Sequence, residues 1–352
     1  MSAVSQRTKI EYFDYLRLLA TFSVILIHVT GPYWSDFHVA AHKWQALNLY
    51  MGGNRWAVPI FMMISGVLFL GSTRPITEII KRNILRIVTA FVFWSAIYTG
   101  ICYAKGQLTV PEAVFAFAEG YYHMWYLPII VGLYLAVPIL RKIAESETVT
   151  RYFLLAAFFV SSLFPAMASF LNWWSPNAGA LINKIVNQIG FSSVAGYSIY
   201  FLLGYYLHNK QMDKKQEKTI YAVGILSFLV TVLGGSVMSV WQQTPVHMFY
   251  DYLQPNVVCC GAALFVFAKY HFRYGACPAA GIRVIQTVCK HSFGAYLIHP
   301  LLLDVLRYNL GLNVMAFHPI ISVPLVALGL LMLSLALSAV LSRIPILGKY
   351  IV

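Results

Sequence analysis

Three residues in one apolar run carry the chemistry. In "YFDYLRLLATFSVILIHV" (residues 12–29), Asp14, Arg17 and His28 interrupt an otherwise membrane-like stretch. On a helix of 3.6 residues per turn, the eleven-residue step from Arg17 to His28 places them roughly 20° apart around the axis and about 16 Å apart along it. Asp14 lies three residues before Arg17, on the same flank and within pairing range. Thr21, Val24 and Ile25 fill the stripe between. One helix face therefore presents an ion pair near one membrane surface and an imidazole in the opposite half. A neutral imidazole is a general base, and ionisable groups inside spans default to a functional role. Two plainer readings stay open: an interfacial Asp14–Arg17 pair, and a His28 that only hydrogen-bonds between helices.

The elements that must hold these groups follow from composition. The chain has 352 residues, of which 59% are hydrophobic and only 11% charged, and its mean hydropathy is +0.69. Soluble domains carry about 25% charged residues, so the sequence predicts an all-α, polytopic membrane helix bundle. About ten apolar runs are long enough to span: 12–31, 54–71, 84–104, 124–141, 152–171, 190–208, 219–237, 252–271, 288–310 and 320–342. The first is read as a retained signal anchor, because many similar runs follow and no small-residue cleavage pattern closes it. A single transmembrane domain over 1–352 is expected.

Ten is even, so both termini share a side. With the N-terminus in the cytoplasm, eighteen of the 25 Lys and Arg residues fall in cytoplasmic segments. Four (Lys43, Arg55, Lys105, Lys184) fall outside, and Arg17, Arg86 and Arg307 lie inside spans. This is the positive-inside pattern, and it assigns the net charge of +13 to topology and contact with anionic membrane lipids. A nucleic-acid surface is not expected. The five cysteines have no metal or redox spacing, and no metal site is expected.

Four later stretches join the first. They are "NRWAVPIFMMISGVLF" (54–69), "KRNILRI" (81–87), "HMWYLPIIVGLYLAVPIL" (123–140) and "HSFGAYLIHPLLL" (291–303). In this order, together with the opening Asp14, Arg17 and His28, the sequence resembles the acyltransferase 3 family of integral membrane acyltransferases, in particular its short members without a fused esterase-like domain. One departure stands at the third helix. The family often places two Arg residues there with two residues between, and here Asn83 holds the first place before Arg86.

The resemblance implies transfer of an acyl group, usually acetyl, from cytoplasmic acetyl-CoA to a hydroxyl of a surface or lipid-linked glycan, in a multi-pass protein of the bacterial inner membrane. His28 would be the general base, with Arg17 and Asp14 supporting it. Arg17, Lys81, Arg82, Arg86 and Ser65 are the expected donor-binding residues, since phosphates need cations. Glu119, His123, Trp125, Tyr296 and His299 are the expected acceptor-side residues. Ser65, Tyr296 and Trp125 are candidate oxyanion donors, and an acetyl-His28 intermediate is the alternative to direct transfer. Ser65–Gly66 reads most simply as close helix packing. Asp304 and Arg307, three apart, read as a structural pair. The competing function class is a transporter or flippase for a glycan or lipid-linked substrate; no paired half-sequence symmetry and no matching broken segments support it.

Overall fold

The computed structural model describes residues 10–35, 38–190, 196–345 and 348–352; Arg7 and Lys9, used in the topology count, and residues 191–195 of the sixth expected span lie outside them. The described residues are helical, with no strand. In chain order the helices are α1 (Glu11–Trp34), α2 (His42–Gly53), α3 (Ala57–Leu70), α4 (Ile76–Ala104), α5 (Val110–Glu119), α6 (Tyr126–Leu135), α7 (Val137–Ala144), α8 (Glu147–Leu171), α9 (Pro176–Ile189), α10 (Ser198–Asn209), α11 (Lys214–Gln242), α12 (Pro255–His271), α13 (Ala279–Asp304), α14 (Pro319–Leu341) and α15 (Gly348–Ile351). Short π-type turns widen α4 at Ile80–Ile84, α8 at Phe159–Leu163 and α11 at Val230–Gly234.

Among the described residues, six helical stretches are long and apolar enough to cross a membrane: Glu11–Trp34, His42–Leu70, Ile76–Ala104, Glu147–Leu171, Lys214–Gln242 and Pro319–Leu341. A seventh arises if α6 and α7 count as one span, bent by 61°. The bend falls at Ala136, where Pro138 starts the new helix and cannot donate to the preceding turn. The remaining three expected spans are also helices, α10, α12 and α13. At about 1.5 Å per residue, the 12 residues of α10 and 17 of α12 fall short of a ~30 Å hydrocarbon core. The 26-residue α13 is long enough but carries Lys290, His291, His299 and Asp304.

Close packing around α3 explains its small residues. A Cβ on Gly66 would meet the Phe201 carbonyl oxygen at 2.1 Å, and one on Gly204 would meet that of Met63 at 2.3 Å. The α3 and α10 backbones thus touch directly, the close approach that Ser65–Gly66 led us to expect. The main core gathers Leu16, Ile60, Met62, Met63, Phe201 and Phe265 around this contact.

Pairings along α13 set its direction. Cys289 meets Asp14 and His299 meets His28, so α13 runs parallel to α1. Arg86 lies over Phe293 and Tyr98 reaches Leu297, so α4 runs the same way. Three parallel helices therefore enclose one space, and α6 closes it from the other side.

Candidate active site

The stripe on α1 is real in three dimensions. Arg17, Thr21, Val24, Ile25 and His28 all line one cavity of about 350 Å³. Thr21 turns its hydroxyl back onto the Arg17 carbonyl at 2.7 Å, which leaves the middle of the stripe apolar. At one end stands Arg17, whose Nη1 is 3.7 Å from the Asp14 carboxylate. Asp14 is buried and does not line the cavity. The Tyr274 hydroxyl donates to its carboxylate, and the Cys289 thiol donates to its carbonyl oxygen at 3.3 Å. Asp14 thus holds Arg17 from behind.

At the other end, His28 Nδ1 is 2.5 Å from His299 Nε2, and the two rings are parallel within 3°. His299 is fully buried, and its Nδ1 lies 3.1 Å from the Ala295 carbonyl oxygen. A carbonyl only accepts, so Nδ1 of His299 carries the proton and its Nε2 accepts. The proton shared with His28 then sits on His28 Nδ1, which leaves His28 Nε2 with the free lone pair. This is the arrangement of a base oriented by a third group. His28 itself is only half-buried and borders the cavity.

The position of His299 has a local cause. Pro300 follows it in α13 and has no N–H to continue the helix ladder. The Tyr98 hydroxyl from α4 enters the gap, donating to the Leu297 carbonyl at 2.7 Å and accepting from the Leu301 N–H at 3.2 Å. Tyr98 thereby braces the turn that presents His299.

His123 and Trp125 come from the turn between α5 and α6. Gly120 ends α5 with φ of +82°, a left-handed conformation that a side chain would strain. The turn is fixed by the Tyr296 hydroxyl, which donates to the His123 carbonyl at 2.6 Å. The His123 ring is buried 5.6 Å from His299 and 6.3 Å from His28, centroid to centroid. Trp125 stacks on Tyr252 at 5.0 Å.

Buried polar atoms normally have partners. Three cavity-lining residues break the rule: both ring nitrogens of His123, Oδ1 of Asn83 and Nε of Arg86 have no hydrogen-bond partner of good geometry among the described residues. They sit at both ends of the cavity, and a polar ligand spanning it would satisfy them. No group of three or more His, Cys, Asp or Glu among the described residues is placed to hold a metal ion.

Of the residues expected from sequence, Arg17, Arg86, His28, His123, Trp125, Tyr296 and His299 line this one cavity. Others do not. Ser65 is not on the cavity wall and stands behind it, beside the hydroxyl of Tyr134. Lys81 and Arg82 are exposed on the outside of α4, and Arg82 pairs with Glu78 at 3.2 Å. The cavity-facing position next to Arg86 is instead Asn83. Glu119 is exposed at the end of α5, away from the cavity. The expected Asp304–Arg307 pair is not formed, because a π-type turn at Val305–Asn309 breaks the three-residue register. Asp304 instead accepts from the Tyr121 hydroxyl at 2.8 Å, and Arg307 lies over the Tyr33 ring at 5.0 Å.

Sequence reasoning did not single out Lys290, Asn83, Tyr134 or Tyr252 as site residues, yet all four line the cavity. Lys290 directly precedes the "HSFGAYLIHP" stretch and by topology alone reads as a cytoplasmic-side cation. Its place one turn before Phe293 on the same helix was the available signal.

These features define a class: an all-helical, multi-pass membrane protein with a paired-histidine site inside the bundle, reached along a cavity from a cationic mouth. Residues 10–343 match the model of the acyltransferase 3 family, described as an acyltransferase domain, and the chain belongs to that family of membrane acyltransferases. No curated protein and no solved structure matches the chain.

Proposed function

We propose that this acyltransferase is an O-acetyltransferase that moves an acetyl group from cytoplasmic acetyl-CoA to a hydroxyl of a surface or lipid-linked glycan. The reading places it in the bacterial inner membrane, with about ten spans when α6–α7, α10, α12 and α13 are included, and with both termini cytoplasmic. The observation that carries it is a single cavity with Arg17, Asn83, Arg86 and Lys290 at one end and the His28–His299 pair at the other. The separation along α1 is about 16 Å, comparable with an extended pantetheine arm. Cations at the mouth suit the phosphate-bearing donor, and a thioester on the arm would reach the imidazole.

In this mechanism Nε2 of His28 takes the proton of the acceptor hydroxyl. The oxygen attacks the thioester carbonyl, a C–O bond forms, the C–S bond breaks, and the thiol leaves with a proton returned to it. His299 keeps the His28 ring in the tautomer that exposes Nε2. The negative charge on the carbonyl oxygen needs a donor in a dry site. Tyr296 is already committed to the His123 carbonyl and Ser65 is off the wall, so the His123 ring is the best placed donor. Trp125 and Tyr252, stacked at the same end, offer an aromatic face to a sugar. The pattern of motifs is similar to that of the O-acetyltransferase of enterobacterial common antigen, and that polysaccharide is the first acceptor to assay.

The test is purified protein with radiolabelled acetyl-CoA and candidate glycans, with His28→Ala alongside. Label should appear in glycan, or the donor should hydrolyse slowly, with wild type only. A protein that ignores the thioester and moves glycan regardless of His28 is a transporter, and the proposal fails.

A further inference from the structure

The cavity is too short for the whole donor, because its length from Arg17 to His28 is taken up by the arm. The nucleotide must lie beyond the mouth, and the cations expected to meet it there, Lys81 and Arg82, are on the outside of α4. A second cavity of about 430 Å³ opens at this point. It is lined by Arg86, Lys290, His291, Arg343 and Lys349, together with apolar and small residues, and no acidic side chain faces it. Arg86 and Lys290 line both cavities and so form the passage between them.

Residues 342–345, 348, 349 and 352 line this second space. The Trp94 indole N–H donates to the Ile351 carbonyl at 2.8 Å and Arg86 donates to the Val352 oxygen at 2.7 Å. These two bonds hold α15 against α4 and bring Arg343 and Lys349 to face Lys290 and His291 across the pocket. No acidic side chain pairs with Lys290, Arg343 or Lys349 among the described residues, whereas Arg82, Lys142, Lys210 and Lys214 all have acidic partners. Clustered cations with no acidic side chain among them repel one another, and a bound polyanion removes that repulsion.

We propose that Lys290, His291, Arg343 and Lys349 form a polyanion subsite, continuous with the catalytic cavity through Arg86, that holds the phosphate groups of a nucleotide-bearing acyl donor. This rests on the donor assignment made above. It moves the phosphate contacts from the start of α4 to the segment after α14. His291, held against Ser338, fixes one wall, and the exposed Arg343 and Lys349 line the pocket beside it.

The probe is adenosine 3′,5′-bisphosphate, which has the nucleotide phosphates and no acyl arm. Its binding to the full chain is measured by calorimetry in phosphatidylcholine nanodiscs, for wild type and for Arg343→Ala/Lys349→Ala. The double variant should bind it at least about tenfold more weakly, as expected for two lost charge-assisted contacts, and Arg343→Lys/Lys349→Arg should restore most of the affinity. Unphosphorylated adenosine should bind neither protein. In turnover, KM for acetyl-CoA should rise in the alanine variant with kcat unchanged, while acetyl-pantetheine should be used equally by both. Equal bisphosphate affinity in wild type and the alanine variant would overturn the subsite. So would a variant that loses only its preference for phosphatidylglycerol nanodiscs, since the pocket would then hold a lipid headgroup phosphate. If wild type binds the bisphosphate through these residues but transfers no acetyl group, the subsite stands and the acetyl-transfer reading falls.

Discussion

At the inner end of the cavity, His28 and His299 meet at 2.5 Å, and a second bond ties His299 to Ala295. At the mouth, Arg17 meets Asp14 only at 3.7 Å and keeps 31% of its side chain accessible. Fully buried His299, braced through Tyr98, contrasts with exposed Lys290, Arg343 and Lys349. Under the proposed function, the difference matches what each end would have to do. Proton transfer depends on a geometry set to a fraction of an ångström, which a packed and doubly hydrogen-bonded pair supplies. A flexible, multiply charged ligand is gripped by long cationic side chains that adjust to it.

This contrast predicts that variants at the two ends fail in different ways. Removing the proposed base should have the largest effect: His28→Ala should lower kcat by roughly 10²–10⁴ with little change in KM for the donor, read from initial rates of labelled acetyl transfer. Next comes its support. His299→Ala should lower kcat by up to roughly 10²-fold, because a misplaced base loses about that much. His299→Asn, whose side-chain carbonyl can still accept from His28 Nδ1, should recover part of it. A His299→Ala enzyme whose KM changes and whose kcat does not would erase the distinction between the ends.

At the mouth the signature reverses. Arg17→Ala should raise KM for acetyl-CoA by roughly ten- to a hundredfold, the scale of one hydrogen bond to a charged group, and leave kcat nearly intact. The smallest effect is expected from Lys81→Ala/Arg82→Ala. Those side chains are solvated and off the cavity, so KM should move less than about twofold. A larger rise would return the donor site to the start of α4.

The stripe from Arg17 to His28 was legible in the sequence because a helical period alone fixes which residues share a face. The close approach at Gly66 was legible as the simplest reading of a Ser–Gly pair in an apolar helix, whereas the donor-binding role expected of Ser65 was not met by its place off the cavity wall. The choice among Lys81, Arg82, Asn83 and Arg86 was not, because all four fall near the start of one helix and only its packing against α6, α13 and α15 decides which face turns inward. Lys290 was hidden in the same way, as a cation at a helix entry that topology alone would explain. The tie between His28 and His299 joins residues 271 apart in sequence, and no local pattern contains it.

The most direct test of the account is the structure of the protein with CoA bound, solved by electron cryomicroscopy in nanodiscs. The thiol should lie within about 4 Å of His28 Nε2, a distance at which one acceptor oxygen can bridge the two, with the arm running past Thr21 and the phosphates beyond Arg17. A thiol lodged outside the cavity, or an arm that enters the bundle without passing between Arg17 and Arg86, would contradict it.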